Sequence, residues 1–312
     1  MRIRYNVLWV EDEDSWFEST EELIKDFLID LGFILQLHRC KSVEEVKHLA
    51  INGLREFDLL LVDFNLSGSD SGENVIHFFR NSEILTEVLF YSSAVENVRD
   101  SLKDHGLEGV YTADRRDIIS KFEQLVYTTL KKIQEVNTMR GLIMAETSDL
   151  DELMLEITKS IIESDISENI SQYIEAEIIN TTSKLSSKAN SDIKLLEKIN
   201  DTRLFTSFHK AKTINKLNKL KTIGIDKFFE EYNKDILSTR NVFAHVTEEI
   251  EDGIRILVSH ATGNKVVFDE RSCIKIRKDL IKYRNTLENI KDILAKDFAN
   301  SQVAKSSDLF PN

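Results

Sequence analysis

Two groups of residues in this 312-residue chain have types and spacings that could do chemistry. The first is acidic. Glu11 and Asp12 directly follow the apolar run Val7 to Val10, Asp63 follows Leu59 to Val62, and Ser92 follows Val88 to Tyr91. Three carboxylates held together repel one another and retain protons unless a cation neutralises them. Hard oxygen donors with room left for a phosphate suit Mg²⁺. One acidic residue after a strand or at a helix start is ordinary; the ordered set is not.

The second group is the string Ser238-Thr239-Arg240-Asn241-Val242-Phe243-Ala244-His245. Arg offers a planar fork for phosphate, His shuttles protons near neutral pH, and Asn241 can orient either. Together these suit RNA cleavage by 2′-hydroxyl attack without a metal. On a regular helix, five residues place Arg240 and His245 about 140° apart, so they converge only at a helix end, at a kink, or across a two-fold axis. Upstream, Thr181 to Gly224 holds ten Lys/Arg against three Asp/Glu. Within it Lys210, Lys212, Lys216, Lys219 and Lys221 could meet a polyanion such as RNA. His209 and His260 stand alone and read as structural or solvent-facing. Glu248 to Asp252 reads as a solvated loop.

The elements that must position these residues differ between the halves. Up to about residue 126, strand-length apolar runs alternate with helical spacings: Val7–Val10, Phe33–Leu37, Leu59–Val62, Val88–Tyr91 and Gly109–Tyr111. Continuous apolar strands separated by amphipathic helices predict a five-stranded parallel sheet covered on both faces, the doubly wound α/β class. Ligands of such sheets gather at the carboxyl ends of the strands. Beyond Tyr111 the pattern turns helical. Ile118 to Met144 reads as one long helix. Further helices are predicted over Asp151–Ser164, Ile166–Leu185, Ile193–Asn200, Thr206–Leu220, Ile225–Phe243 and Ile274–Asp297, interrupted by a β-hairpin of Ile254–Val258 and Lys265–Phe268. The expected organisation is an α/β domain over residues 1–128, a helical linker over 129–145, a helical effector domain over 146–298, and a disordered tail over 299–312.

At the acidic positions the chain resembles the receiver domain of two-component response regulators. The resemblance rests on Val10-Glu11-Asp12-Glu13, Leu61-Val62-Asp63-Phe64-Asn65, Tyr91-Ser92-Ser93-Ala94 and His105-Gly106-Leu107-Glu108-Gly109, in that order. It implies that Asp63 is the phosphoacceptor, that Glu11, Asp12, Asp63 and the backbone carbonyl of Asn65 hold Mg²⁺, and that Ser92 is the switch hydroxyl on the phosphoryl group. It also implies a histidine kinase or another phosphodonor protein as partner. The Lys-Pro usual in receivers falls on Ala113-Asp114, so no lysine is available, and Arg115 or Arg116 would have to swing back. The Arg-Asn-x-x-Ala-His string resembles the motif of HEPN domains, helical modules of many RNA-cutting proteins. That resemblance implies Arg240, Asn241 and His245 as catalytic residues and a homodimer with two motifs facing one cleft.

Composition narrows the classes. A single proline, 10 glycines and 30% charged residues exclude collagen-like and Pro-rich chains. Cys40 and Cys273 lack metal-ligand spacing. No apolar stretch reaches the ~20 residues that span a bilayer, and a cytoplasmic location is expected. The net charge of −13 sits almost wholly in residues 1–130, with 13 Lys/Arg against 25 Asp/Glu. The expectation is a receiver-regulated effector with a dimeric, metal-independent ribonuclease output. The alternative is an adaptor whose helical half only dimerises or binds a protein. Arg240 and His245 packed and hydrogen-bonded internally favour the adaptor; both pointing into a shared open cleft favour the nuclease.

Overall fold

A computed structural model describes residues 3–50, 57–66, 71–105, 108–133, 135–162, 167–182, 194–221, 223–244, 246–259 and 265–307. The chain divides into two compact units, Met1–Glu135 and Val136–Asn312.

In the first unit, five strands alternate with five helices: β1 Arg4–Val10, α1 Asp14–Asp30, β2 Ile34–Cys40, α2 Val43–Ala50, β3 Leu59–Asp63, α3 Gly72–Asn81, β4 Val88–Ser92, α4 Val95–His105, β5 Val110–Asp114 and α5 Ile118–Ile133. The sheet order is β2-β1-β3-β4-β5, parallel throughout. This is the doubly wound five-stranded parallel sheet expected from the apolar runs. Every residue of β3 and β4 is buried, as a central strand covered on both faces requires. Pairing sets Val10 beside Val62 and Asp63 beside Tyr91. The residues that follow β1 and end β3 and β4 therefore meet on one rim.

Gly72 opens α3 against that rim. A methyl group there would lie 2.1 Å from the carbonyl oxygen of Asp63 and 2.7 Å from the Phe90 ring. Only glycine lets the helix start this close to β3. Ser71 caps the same end, its hydroxyl accepting from the Glu73 N–H at 3.2 Å.

The second unit is mostly helical, with a small antiparallel sheet. Its helices are α6 Val136–Ile162, α7 Ser167–Thr182, α8 Leu195–Asn200, α9 Ser207–Lys221, α10 Phe228–Tyr232, α11 Ser238–Ala244 and α12 Glu270–Ser307. Two expectations are corrected here. The single helix over Ile118–Met144 is two, because α5 ends at Ile133 and α6 begins at Val136. The buried stripe Val136, Met139, Leu142, Ile143, Leu150, Met154, Ile157, Ile161 runs through α6 past Gly141, so the supposed linker's second part belongs to the second unit. Asn300 onward is not a disordered tail in its first part: α12 continues to Ser307, and no proline occurs before Pro311 to end it.

The sheet has three antiparallel strands, β6 Val246–Glu251, β7 Ile254–Ser259 and β8 Lys265–Val267. Glu248 to Glu251 is thus strand rather than loop. Asp252 and Gly253 both have positive φ, 52° and 79°, and link Glu251 to its partner Ile254. That is a two-residue hairpin of the Asp-Gly kind, whose twist matches the strands it joins. Among the described residues, no helix is long and apolar enough to cross a membrane.

Candidate functional site

The rim of the first unit gathers the acidic group. Glu11 and Asp63 are fully buried, Asp12 is half-buried, and one carboxylate oxygen from each lies within 4.8 Å of the others. Ser92 is also fully buried, its Oγ accepting from Asn65 Nδ2 and the Ala94 N–H, both at 3.1 Å. The Asn65 N–H donates to Asp63 Oδ1 at 3.2 Å. The hydroxyl thus stands on the next strand end to Asp63, bridged to it by Asn65. The donor chemistry of Glu11, Asp12 and Asp63, all hard oxygen, fits a divalent cation.

Arg115 enters the same place. It begins a 3₁₀ turn, Arg115–Asp117, directly after β5. Its Nη2 donates to Asp63 Oδ2 and lies 3.2 and 3.3 Å from the two Glu11 oxygens, while Nη1 donates to Glu13 Oε2 at 2.6 Å. The guanidinium carbon stands 4.7 Å over the Trp16 ring. So the cation two residues after Ala113 does reach Asp63. Arg116 does not: it pairs with Asp114, whose carboxyl it holds down to about 2.

Glu11 is tied from behind. Tyr91 Oη donates to Glu11 Oε2 at 2.8 Å and itself accepts from Trp9 Nε1 at 2.7 Å, while Glu11 Oε1 accepts from the Glu13 N–H at 2.9 Å. Burial raises the carboxyl pKa of both Glu11 and Asp63; the Glu13 and Tyr91 bonds offset part of it at Glu11, and Arg115 offsets part of it at Asp63. The sequence motifs contain Glu13 and Tyr91 but assign a role to neither, and no motif marks Gly72, Trp9 or Trp16. The one usable signal was a polar-tipped Tyr and a Trp inside otherwise aliphatic strands, since buried Tyr O–H and Trp N–H groups need partners.

No protein-family model matches the chain, and no curated protein matches it. Solved structures similar to it include the receiver domain of a Francisella response regulator, 22% identical over 40% of this chain and 98% of that one, TM-score 0.30. Another is a response regulator receiver domain protein from Methanospirillum hungatei, at 19% identity over 41% and 98%, TM-score 0.30. A third is the signal receiver domain of an HD domain-containing protein from Pseudomonas fluorescens, at 12% identity over 41% and 98%, TM-score 0.32.

In the second unit the Arg240 string falls after a wide helical turn. Between α10 and α11, Asn233–Leu237 form a π-type turn. Arg240, on the helix after this turn, reaches the Asp151 carboxylate of α6. Arg240 Nη1 donates to Ser207 Oγ at 2.9 Å and lies 3.8 Å from Asp151 Oδ2, which also accepts from Ser207. About a quarter of the Arg240 side chain is exposed. Asn241 is exposed, and His245 lies outside the described residues. Arg140 of α6 donates to the carbonyl oxygens of Phe243 at 2.8 Å and Val246 at 3.1 Å, on either side of position 245.

Lys210, Lys212 and Lys216 sit in different surroundings. Helix α9 is central: Ala211, Ile214 and Leu217 are fully buried. Lys210 is only 5% exposed and turned inward, where burial lowers its pKa and Asp151 opposes that. Lys212 pairs with Glu177 at 3.0 Å, and Lys216 lies over the Tyr173 ring. The side chains of Lys219 and Lys221, and His260, lie outside the described residues. His209 is buried and accepts the Thr206 N–H on Nδ1 at 3.2 Å, a structural role at the start of α9.

Proposed function

We propose that the first unit is a phosphoacceptor receiver that controls the helical unit. The observation that carries this reading is the buried Asp63 carboxylate at the end of β3, with Glu11 and Asp12 oxygens beside it and the Ser92 hydroxyl on the neighbouring strand end. In the reaction, an Asp63 oxygen attacks the phosphorus of a phosphohistidine protein or a small acyl phosphate. A new O–P bond forms as the bond to the leaving group breaks, leaving an acyl phosphate on Asp63. Ser92 Oγ then donates to a phosphoryl oxygen in place of its present contacts. Mg²⁺ held by Glu11, Asp12 and Asp63 would withdraw charge from the phosphoryl oxygens. The test is labelling by acetyl phosphate in Mg²⁺. Wild type should label and Asp63→Asn should not; an unlabelled wild type overturns the reading.

For the helical unit the geometry supports an adaptor best. Arg240 spends one nitrogen on Ser207 and neutralises Asp151, so it braces α11 against α6 and α9. A ribonuclease output, with Arg240, Asn241 and His245 acting on RNA in a homodimer, is the second reading. The exposed quarter of the Arg240 side chain supports it, since the residue is not wholly enclosed. End-labelled RNA in excess EDTA separates the two. Cleavage by wild type that His245→Ala abolishes establishes the nuclease, and no cleavage with or without a phosphoryl donor establishes the adaptor.

A further inference from the structure

We infer that Arg115 is a displaceable internal cation, its guanidinium competing with a divalent cation for the same oxygens of Glu11 and Asp63. The inference deepens the phosphoacceptor reading and rests on it for the metal's presence. A carboxylate offers about four lone-pair positions. At Glu11 all are spoken for: Oε1 accepts from the Glu13 N–H and faces Arg115 Nη2 at 3.3 Å, while Oε2 accepts from Tyr91 Oη and faces Nη2 at 3.2 Å. The same Nη2 donates to Asp63 Oδ2. Two of the three carboxylates that could hold a cation are therefore already shared with one nitrogen. Mg²⁺ needs oxygens at about 2.0–2.1 Å, and it cannot take them while that nitrogen stays.

Charge explains why a resident guanidinium belongs there and why it can be expelled. Glu11, Asp12, Asp63 and Glu13 crowd one rim, and burial penalises the charged forms of Glu11 and Asp63. One Arg offsets a single charge; a divalent ion offsets two. Only the side chain has to leave, because the 3₁₀ turn is held independently: Asp114 accepts the Arg116 N–H at 2.9 Å and pairs with the Arg116 guanidinium. Trp16 reports the event. Its ring lies under the Arg115 guanidinium at 4.7 Å and against Tyr91 at 5.1 Å. The other tryptophan, Trp9, is fully buried behind Tyr91.

The consequence is a receiver that stays neutralised and closed when metal-free, with a metal threshold set by Arg115. The experiment is Mg²⁺ titration of the EDTA-stripped full chain, by calorimetry and by tryptophan emission, for wild type, Arg115→Gln and Arg116→Gln. The last removes equal charge from an exposed neighbour that pairs only with Asp114. Loss of a charge-assisted competitor should tighten Mg²⁺ binding about tenfold or more in Arg115→Gln, while Arg116→Gln stays near wild type. The Mg²⁺-dependent emission change should appear in wild type and Arg116→Gln and vanish in Arg115→Gln and in Trp16→Phe. Binding in Arg115→Gln with none in wild type also supports the competition. Equal affinities for Arg115→Gln and Arg116→Gln overturn it and leave the phosphoacceptor reading standing. No binding in any variant overturns both. Should Arg115→Gln fail to fold, Arg115→Lys replaces it: a point charge on a shorter reach must bind Mg²⁺ more tightly than wild type, and an unchanged affinity overturns the inference.

Discussion

Glu11 and Asp63 set the behaviour of the acidic rim through burial. Both hold their protons to higher pH in the folded chain than in the unfolded one. As pH rises from about 4, the unfolded chain therefore releases these protons first, and their contribution to stability falls until the folded groups ionise too. Asp63→Asn removes one such group without changing shape. The variant should melt at a higher temperature than wild type in EDTA at pH 7, with the gap closing toward pH 4. Tryptophan emission checks this, since both tryptophans lie in the first unit. Wild type in saturating Mg²⁺ should recover much of the difference, because bound cation stabilises only the folded chain.

Two elements are held by single residues whose removal has a defined cost. The start of α3 approaches β3 so closely that Gly72→Ala must push the Asp63 carbonyl or the Phe90 ring aside. Overpacking of this kind costs about 1–3 kcal/mol, and it acts on the strand end that carries Asp63. Gly72→Ala should therefore lower the first unit's melting temperature and slow acetyl phosphate labelling together, whereas Gly141→Ala, which meets nothing within 4 Å, should do neither. On α6, Arg140 satisfies the carbonyls of Phe243 and Val246 at the junction of α11 and β6. Hydrogen bonds to a charged donor contribute roughly 1.5–3 kcal/mol. Arg140→Ala should lower the second unit's stability by about that amount, read by circular dichroism in urea, and Arg140→Lys should restore only part of it because a point charge does not span two carbonyls.

At the scale of the whole chain, the two units divide the charge: the acidic excess lies in residues 1–130, and the remainder is nearly neutral. An adaptor and a ribonuclease differ in what this second unit asks of salt. If RNA binds, neutralising Lys212 and Lys216 should weaken it and flatten its salt dependence, by about one unit of slope per lost phosphate contact. Substituting Lys210 should instead lower stability, since it is buried beside Asp151. Filter binding across a salt series, with melting measured in parallel, checks both. The ribonuclease reading requires a homodimer, and sedimentation of the full chain at micromolar concentration should show one if that reading holds.

The local sequence by itself determined the strands of the first unit, their parallel class, and the order of Glu11, Asp12, Asp63 and Ser92 along one rim. Continuous apolar runs read directly as buried central strands, and strand ends in a parallel sheet share an edge. Local patterns also located the hairpin of β7 and β8, but not β6, whose Thr247-Glu248-Glu249 look like loop until Asp252-Gly253 folds them back onto β7. Only the tertiary structure decided which cation meets Asp63. Arg115 and Arg116 are adjacent and chemically identical, yet the 3₁₀ turn sends one into the carboxylates and the other to Asp114. Only packing turned Lys210 inward from a lysine-rich stretch, because it sits on the side of α9 that carries the buried Ala211, Ile214 and Leu217. And only the packing of α11 against α6 brought Arg240 to Asp151, a contact across 89 residues that no local spacing records.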